Sequence, residues 1–260
     1  MYRPRVIPCL LLRNKGLVKS VRFRDHRYVG DPINAVKLFN DLRADELIFL
    51  DTQATSQNRT IDPDLVRQIG DETNMPFTVG GGIRSLAQIE ALIGAGAERV
   101  CLNSYALENP QFVQQAADAF GSSTIVVCMD VKRGWFGSEL IYGRAGSQSS
   151  GRTPRQVARQ MADSGAGELI VQSVDHDGMM AGYHLDLVQE IAGMVDVPVV
   201  ALGGCGSFAD IREVVTTGRA SAASAGSLFV FHGPRRAVLV NFPTTDELRA
   251  LYVTHQTVTL

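Results

Sequence analysis

The sequence is poor in several features that mark particular classes of protein. It has four cysteines, with no Cys-x-x-Cys pair and no histidine set beside them, so we expect buried thiols in a reducing cytoplasm rather than a disulfide framework or a metal centre. The formal net charge of −2 gives no case for a nucleic-acid partner. No apolar run approaches the roughly 18 residues of a membrane span, and the first run is too short for a signal peptide. We therefore expect a cytoplasmic protein with no membrane association.

Motifs for metal or nucleophilic serine chemistry are also missing. The five histidines are scattered, and no two share a helix face at the spacing of metal ligands. The chain contains no Gly-x-Ser-x-Gly elbow and no P-loop. We expect no metal and no cofactor, and chemistry on a small molecule.

What the sequence does have is a regular alternation of short apolar runs and amphipathic segments of helix length. The runs are apolar throughout, which is typical of strands buried on both faces of a parallel sheet. Helices are predicted to start at Asp31-Pro32, Asp62-Pro63 and Thr153-Pro154, where a capping residue precedes a proline. About eight strand-helix units in about 250 residues predict a TIM (β/α)8 barrel, here one domain over residues 1–260; the alternative is a doubly wound sheet. The runs are "VIPCLLL", "ELIFLD", "FTVGGG", "RVCLNS", "STIVVCMD", "ELIVQSVD", "VPVVALGG" and "ASAASAGSLFVF".

The chain also repeats itself. "IPCLLL" resembles "VVCMDV", "ADELIFLD" resembles "AGELIVQSVD", and "VGGGI" resembles "LGGCG", in the same order along the two halves. This order predicts two half-barrels related by a pseudo-twofold axis; the alternative is chance similarity among glycine-rich strand ends. The first pair aligns Cys9 with Cys128 and sets Leu11 against Asp130.

Glycines and short polar residues end four of the predicted strands. Glycine lets the backbone approach an anion closely, and free amides supply the donors. The segments 80–82 and 103–104 form one such group, and 203–204 and 225–227 form another on the opposite side. Two sites at the barrel mouth suit an elongated small molecule with a phosphate at each end; the alternative is that these glycines only permit tight turns.

Carboxylates follow several runs, and two connections are long. Asp51, Asp130, Asp175 and Asp177 should face the mouth, where a carboxylate can act as general acid or base; a helix cap or a loop salt bridge is the alternative for each. The connections over residues 13–30 and 131–151 are either lids or plain loops. The first is rich in Lys and Arg and contains Lys19, which favours a phosphate-grasping lid. The second contains "WFGSELIYG", a small hairpin if the loop is plain.

Charged residues also precede four of the apolar runs. They should surround the bottom of the barrel, either as a salt-bridge ring that plugs it or as a gate. These residues are Arg5, Glu46, Arg99 and Glu168.

Along nearly its whole length the chain resembles the cyclase subunit family of imidazole glycerol phosphate synthase. The segments that carry the resemblance are "GDPINAVKLFNDLRADELIFLD", "PFTVGGGI", "AGAERVCLNS", "MDVKR", "GAGELIVQSVDHDG" and "GYHLDLV". The resemblance implies a TIM barrel of the ribulose-phosphate-binding type. It further implies a glutaminase partner on the bottom face, whose ammonia is used at the top face to cleave a bisphosphorylated intermediate of histidine biosynthesis and close an imidazole ring.

The resemblance also implies roles for particular residues. One phosphate site corresponds to Gly82, Asn103 and Ser104. The other corresponds to Asp177, Gly178, Gly204, Gly226 and Ser227. Active-site positions correspond to Lys19, Asp51 and Asp130. The ring through which ammonia enters corresponds to Arg5, Glu46, Arg99 and Glu168, with an arginine where lysine is usual.

One position departs from the family. A second catalytic aspartate should stand at position 11, which is Leu11 here. "IPCLLL", "GLVKSVRFRDHRYVGDPINAV" and "FHGPRRAVLVNFP" resemble a paralogous branch, the glycosyl amidation-associated proteins, in which the barrel is thought to pass ammonia to a separate sugar amidotransferase for surface polysaccharides. Three hypotheses follow: an ammonia-channelling subunit for sugar amidation, which the sequence favours; a working histidine-pathway cyclase; and a non-catalytic activator of the glutaminase.

Overall fold

The structure is a computed structural model that describes residues 4–134 and 137–252. Eight parallel strands form a closed barrel, in which each strand pairs with the next and the eighth pairs with the first. The predicted barrel is therefore confirmed, and the doubly wound alternative is wrong. The prediction of one domain over residues 1–260 extends beyond the described residues at both ends and stays a prediction. The barrel strands are, in order, Arg5–Arg13, Leu47–Asp51, Phe77–Gly80, Arg99–Leu102, Ile125–Arg133, Glu168–Ser173, Val199–Leu202 and Ala222–Ala225.

Helices lie between the strands and begin where the sequence predicts. Asp31, Asp62 and Thr153 each cap a helix that has proline in its first turn, and each side chain accepts a backbone N–H of that turn. These contacts satisfy donors that a helix start leaves unpaired. No helix of the described residues is long and apolar enough to cross a membrane. The helices are Pro32–Asp41, Pro63–Glu72, Leu86–Gly94, Ser104–Glu108, Pro110–Phe120, Pro154–Asp163, Leu185–Ala192, Phe208–Thr216, Ser227–Val230 and Thr245–Tyr252.

The eighth apolar run is shorter as a strand than its composition predicts. The strand stops at Ala225, and a helical turn over Ser227–Val230 follows before a two-residue strand at Phe231–His232. The strand end predicted at 225–227 is therefore confirmed, and the rest of the run forms the short helix and the two-residue strand.

The two halves of the barrel carry matching additions. The fourth and eighth strands are each followed by a short helix that begins at a serine, Ser104 or Ser227. The first and fifth strands are each followed by an antiparallel strand, Gly16–Val21 or Glu139–Gly143, that pairs back on their upper ends. Arg24–Gly30 extends the first of these into a hairpin. Strand pairing thus confirms a hairpin in the second connection, although Trp135 and Phe136 lie outside the described residues.

Apolar side chains cover both faces of each barrel strand, as the continuous runs predict. One buried cluster lies between strands and helices, and a second fills the barrel interior, where Leu11 and Leu50 pack on its upper edge. The four cysteines are all buried and free, which confirms that they are thiols. Three of them, Cys9, Cys101 and Cys128, belong to the interior cluster.

Candidate active site

The carboxyl ends of the barrel strands surround one cavity of about 620 Å³. A cavity of this size, with a few convergent polar groups, is typical of a small-molecule site. All of the top-face residues that the family resemblance implies line it, and so does Leu11, but Asp175, which was also predicted to face the mouth, does not. The predicted residues are Lys19, Asp51, Gly82, Asn103, Ser104, Asp130, Asp177, Gly178, Gly204, Gly226 and Ser227.

The first predicted phosphate site lies above the third and fourth strands. Gly82 has a φ of +68°, and a Cβ there would collide with the Arg59 carbonyl oxygen, so both backbone conformation and space require glycine. Ser104 Oγ lies 3.2 Å from Asn103 Oδ1 and accepts the Arg144 amide at 2.8 Å. These contacts bring a backbone turn, two short polar side chains and a cation to one wall of the cavity.

Gly82→Asp should weaken phosphate binding at least tenfold, because the variant sets a negative charge where amides meet an anion. Gly82→Ala is the matched control, since it introduces the same Cβ without the charge. The dissociation constant for inorganic phosphate, measured by 31P NMR titration, should rise more for Asp than for Ala. Unchanged affinity in both variants would mean that the glycine serves only the turn.

The second predicted phosphate site lies above the seventh and eighth strands, and Lys19 reaches it from the first connection. Lys19 Nζ donates to the Cys9 carbonyl at 2.5 Å, and a Cβ on Gly226 would overlap that ammonium group. Lys19 is 5% exposed. Burial lowers the pKa of its ammonium group, while the charges of Cys9 and Asp177 act to raise it. A buried cation beside glycine backbone is suited to hold an anion.

Asp177 holds the first connection over this second site through hydrogen bonds. Its carboxylate accepts Ser20 Oγ at 3.2 Å and Gln172 Nε2 at 3.4 Å, and its carbonyl accepts the Arg22 amide at 2.9 Å. Burial raises the pKa of Asp177, while Lys19 and these hydrogen bonds lower it. The observed contacts of Asp177 therefore hold the loop, and its part in phosphate binding stays a prediction.

Asp130 is the buried carboxyl group of the cavity. It is 6% exposed, and burial raises its pKa to about 7, although hydrogen bonds from Asn103 and Cys128 act in the opposite direction. The Cys128 Sγ lies 3.7 Å from Asp130 Oδ1. A carboxyl that titrates near neutral pH can both take and give a proton, which general acid–base catalysis requires.

Leu11 faces the same cavity from the opposite side of the barrel. The first and fifth strands are four strands apart in either direction around the barrel, and both Leu11 and Asp130 line the mouth. Asp51, on the strand next to Leu11, does not supply a free carboxylate: it accepts the amides of Gln53 and Ala54 and pairs with Arg59 at 2.5 Å. The pseudo-twofold partner of Asp130 is thus an apolar side chain, and the catalytic role of Asp51 stays a prediction.

The four charged residues predicted at the bottom form a closed ring. Arg5 pairs with Glu168 and, at 2.5 Å, with Glu46. Arg99 lies 2.7 Å from Glu168 and 3.5 Å from Glu46, and Thr78 Oγ1 donates to Glu46 at 3.0 Å. Burial raises the pKa of Glu168, and the two arginines oppose that shift. The side chains alternate in charge around the lower opening and form four ion pairs; whether the ring plugs the barrel or acts as a gate stays a prediction.

Several mouth residues escaped sequence reasoning. Arg84 and Arg144 line the cavity near the first predicted phosphate site, but each lies in a polar loop that carries no motif. Gln172 also lines the cavity and is 4% exposed. Its signal was available, because it is the first polar residue after the apolar stretch 169–171 of the sixth run. Asp175, in contrast, points away and accepts the Arg133 amide at 2.8 Å.

Fold and site together define a barrel with glycine turns and a buried lysine at its mouth, a buried carboxyl at Asp130 and a charged ring beneath. The model of the histidine biosynthesis protein family matches residues 5–234, and the chain belongs to that family. It is 42% identical over 248 residues to "Putative imidazole glycerol phosphate synthase subunit hisF2" of Pseudomonas aeruginosa, with 95% of this chain and 99% of the relative covered.

Other relatives carry similar names. Over 248 residues the chain is 43% identical to "Putative imidazole glycerol phosphate synthase subunit hisF3" of Vibrio vulnificus, covering 95% of each chain. It is 40% identical over 232 residues to the imidazole glycerol phosphate synthase subunit HisF of Alkaliphilus metalliredigens, covering 89% of this chain and 92% of the relative. The predicted resemblance to the cyclase subunit family is confirmed. All three names are those of imidazole glycerol phosphate synthase subunits, so the comparisons favour the cyclase hypothesis over sugar amidation.

Proposed function

We propose that this chain is the synthase subunit of a glutamine amidotransferase and performs the cyclase reaction of imidazole glycerol phosphate synthase at its mouth. The observation that carries the proposal is a buried carboxyl, Asp130, with a pKa of about 7, in one cavity with two groups of anion-binding residues. The names of the relatives support the same reaction.

The cavity suits a bisphosphorylated substrate that spans the mouth. One phosphate would lie against Gly82, Ser104 and the Arg144 backbone, and the other against Gly226 and Lys19. Holding both ends leaves the middle of the substrate between Asp130 and Leu11, which raises the effective concentration of the reacting groups. Ammonia attacks through its nitrogen lone pair and must then lose a proton, which Asp130 is placed to accept.

The route for ammonia runs from a glutaminase on the bottom face through the ring. Above the ring, the interior is lined by apolar and thiol side chains such as Ile7, Val126 and Cys128. A neutral molecule crosses such a passage at far lower free energy than an ion. The ring of Arg5, Glu46, Arg99 and Glu168 acts as a gate in this proposal.

Arg99→Ala should uncouple glutamine hydrolysis from ammonia use, because it removes two contacts of the ring, and Glu46→Ala should do the same. We expect both variants to keep the fold, as checked by circular dichroism, since at each position the remaining ring residues still pair. The measurement is the ratio of product formed to glutamine hydrolysed in the complex with the glutaminase. Arg155→Ala, which breaks an ion pair with Glu190 on the outer helices, is the control. An unchanged ratio in both ring variants would remove the gate.

A second candidate function is favoured by Leu11 alone. Loss of a positioned acid or base lowers the rate of a reaction by about 10² to 10⁴, so a leucine at position 11 should slow ring closure. Delivery of ammonia to a separate sugar amidotransferase needs no acid or base at that position. In that case the ring and interior keep their use, while the substrate sites at the mouth do not.

Calorimetric binding of the bisphosphorylated histidine-pathway intermediate separates the two functions. The cyclase proposal expects binding at least a hundredfold tighter than that of inorganic phosphate, because both ends are held at once. It also expects Gly82→Asp to weaken that binding. Binding no tighter than that of inorganic phosphate would overturn the proposal and favour ammonia delivery. Glutaminase activation without any delivered ammonia would favour a non-catalytic activator.

A further inference from the structure

Gln172 is a buried polar residue at the mouth that the proposed mechanism does not yet use. It is 4% exposed and lines the cavity. Its Nε2 donates to Asp177 Oδ1 at 3.4 Å, and a Cβ on Gly203 would lie 3.2 Å from that nitrogen. Its Oε1 accepts no hydrogen bond from the part of the chain that the structure describes. A buried carbonyl oxygen without a donor is unfavourable unless a ligand or water supplies one.

The strand register sets Gln172 beside Asp130. The fifth and sixth strands pair in parallel with Asp130 opposite Gln172, and one interior layer below them Cys128 lies opposite Ile170. Cys128 and Ile170 both belong to the interior cluster. Since side chains two residues apart on a strand share a face, Gln172 and Asp130 point inward together. Above the ring, they are the first side-chain oxygen acceptors that the fifth and sixth strands present to a molecule rising through the interior.

We propose that Gln172 binds the incoming ammonia: its Oε1 accepts an N–H of the ammonia and holds the nitrogen beside Asp130. The inference rests on the proposed delivery of ammonia through the barrel, and it holds for either candidate function. A bond through N–H leaves the nitrogen lone pair free to attack a substrate. As the new C–N bond forms, the π bond between the attacked carbon and its oxygen or nitrogen breaks and its electron pair moves to that atom; the positive nitrogen then gives a proton to the Asp130 carboxylate.

The test uses ammonium chloride as the probe and needs no turnover. The 13C shift of the Asp130 carboxyl reports its pKa in the whole chain, and a bound cation lowers that pKa because it favours the carboxylate. Ammonium should produce a saturable fall in the pKa. Tetramethylammonium chloride carries the same charge without an N–H and should not. An equal response to both salts would overturn the proposal.

Two variants separate ammonia binding from a merely structural role. Gln172→Met removes both polar atoms. It should raise about tenfold the half-effect concentration, that is, the ammonium concentration that produces half of the maximal fall in the pKa of Asp130, which is the effect of one hydrogen bond. Gln172→Glu keeps an oxygen acceptor, loses the amide that donates to Asp177 and adds a negative charge that also attracts ammonium, so its half-effect concentration should not exceed that of the unmodified chain. An equal rise in both would mean that Gln172 acts only through Asp177, and no rise in either would exclude it as the site.

Kinetics then distinguish this inference from the proposed function. If the chain turns over the bisphosphate, Gln172→Met should raise the KM for ammonium more than it lowers kcat. An unchanged KM would overturn the inference and leave the cyclase standing. If the chain does not turn over, a Gln172-dependent NMR response would still support ammonia binding while the cyclase proposal fails.

Discussion

Asp130→Asn should lower ammonia-dependent turnover by about 10² to 10⁴, the usual effect of removing a positioned acid or base, and should also stabilise the fold above neutral pH. The pKa of Asp130 rises from its ordinary value of 3.8 to about 7 because the group is buried. The folded state therefore holds this proton more tightly than the unfolded state. Stability falls as pH rises from about 4 to about 7, by about 4 kcal/mol in total. Asparagine carries no charge, so the variant does not lose this stability as the pH rises.

Urea unfolding at pH 5 and pH 8 measures this effect. The advantage of Asp130→Asn in free energy of unfolding should be larger at pH 8, where the native carboxyl is ionised. Asp163→Asn is the control, because Asp163 ends an outer helix and is exposed; it should change neither stability nor rate. A difference between Asp130→Asn and the unmodified chain that does not vary with pH would contradict the ionisation argument.

Leu11→Asp should raise turnover by about 10² to 10⁴, since it restores an acid or base opposite Asp130. The position is suitable because Leu11 lines the cavity and only packs on the edge of the interior cluster. A carboxylate there remains close to solvent in the mouth.

Leu50→Asp is a matched control for Leu11→Asp. Leu50 pairs with Leu11 in the strand register and packs on the same cluster, but it does not correspond to Asp130 in the repeat. Values of kcat measured with ammonium chloride should rise for Leu11→Asp alone. An equal gain in both variants would mean that any added carboxylate suffices, and no gain for Leu11→Asp would show that residue 11 does not limit the reaction.

The barrel could be predicted from sequence because its signals are local. Continuous apolar runs and the Asp-Pro and Thr-Pro caps determine strands and helix starts within a few residues. Closure of the barrel follows from their number and order. In the eighth run, composition alone would extend the strand through residue 231, but the glycine at 226 marks its end.

The site was predictable as a set of residues but not as a set of contacts. Position at a strand end brought Gly82, Asp130 and Ser227 to the mouth, since parallel strands end on the same side. The pairing of Asp51 with Arg59 depends on how a polar loop folds back, and no pattern in the sequence encodes it. Likewise, Lys19 reaches Gly226 because the first connection folds as a hairpin. The many charged residues of that connection obscure the apolar pattern by which its strands could have been predicted.

The most direct test of the account is ammonia-dependent turnover of the bisphosphorylated intermediate by the purified, unmodified chain, with Asp130→Asn beside it. The account predicts measurable but slow turnover, below roughly 1 per second, that saturates with both reactants and is lost in Asp130→Asn. A chain that binds the intermediate but converts it no faster than the reaction without protein would contradict the cyclase, and ammonia delivery or glutaminase activation would then remain.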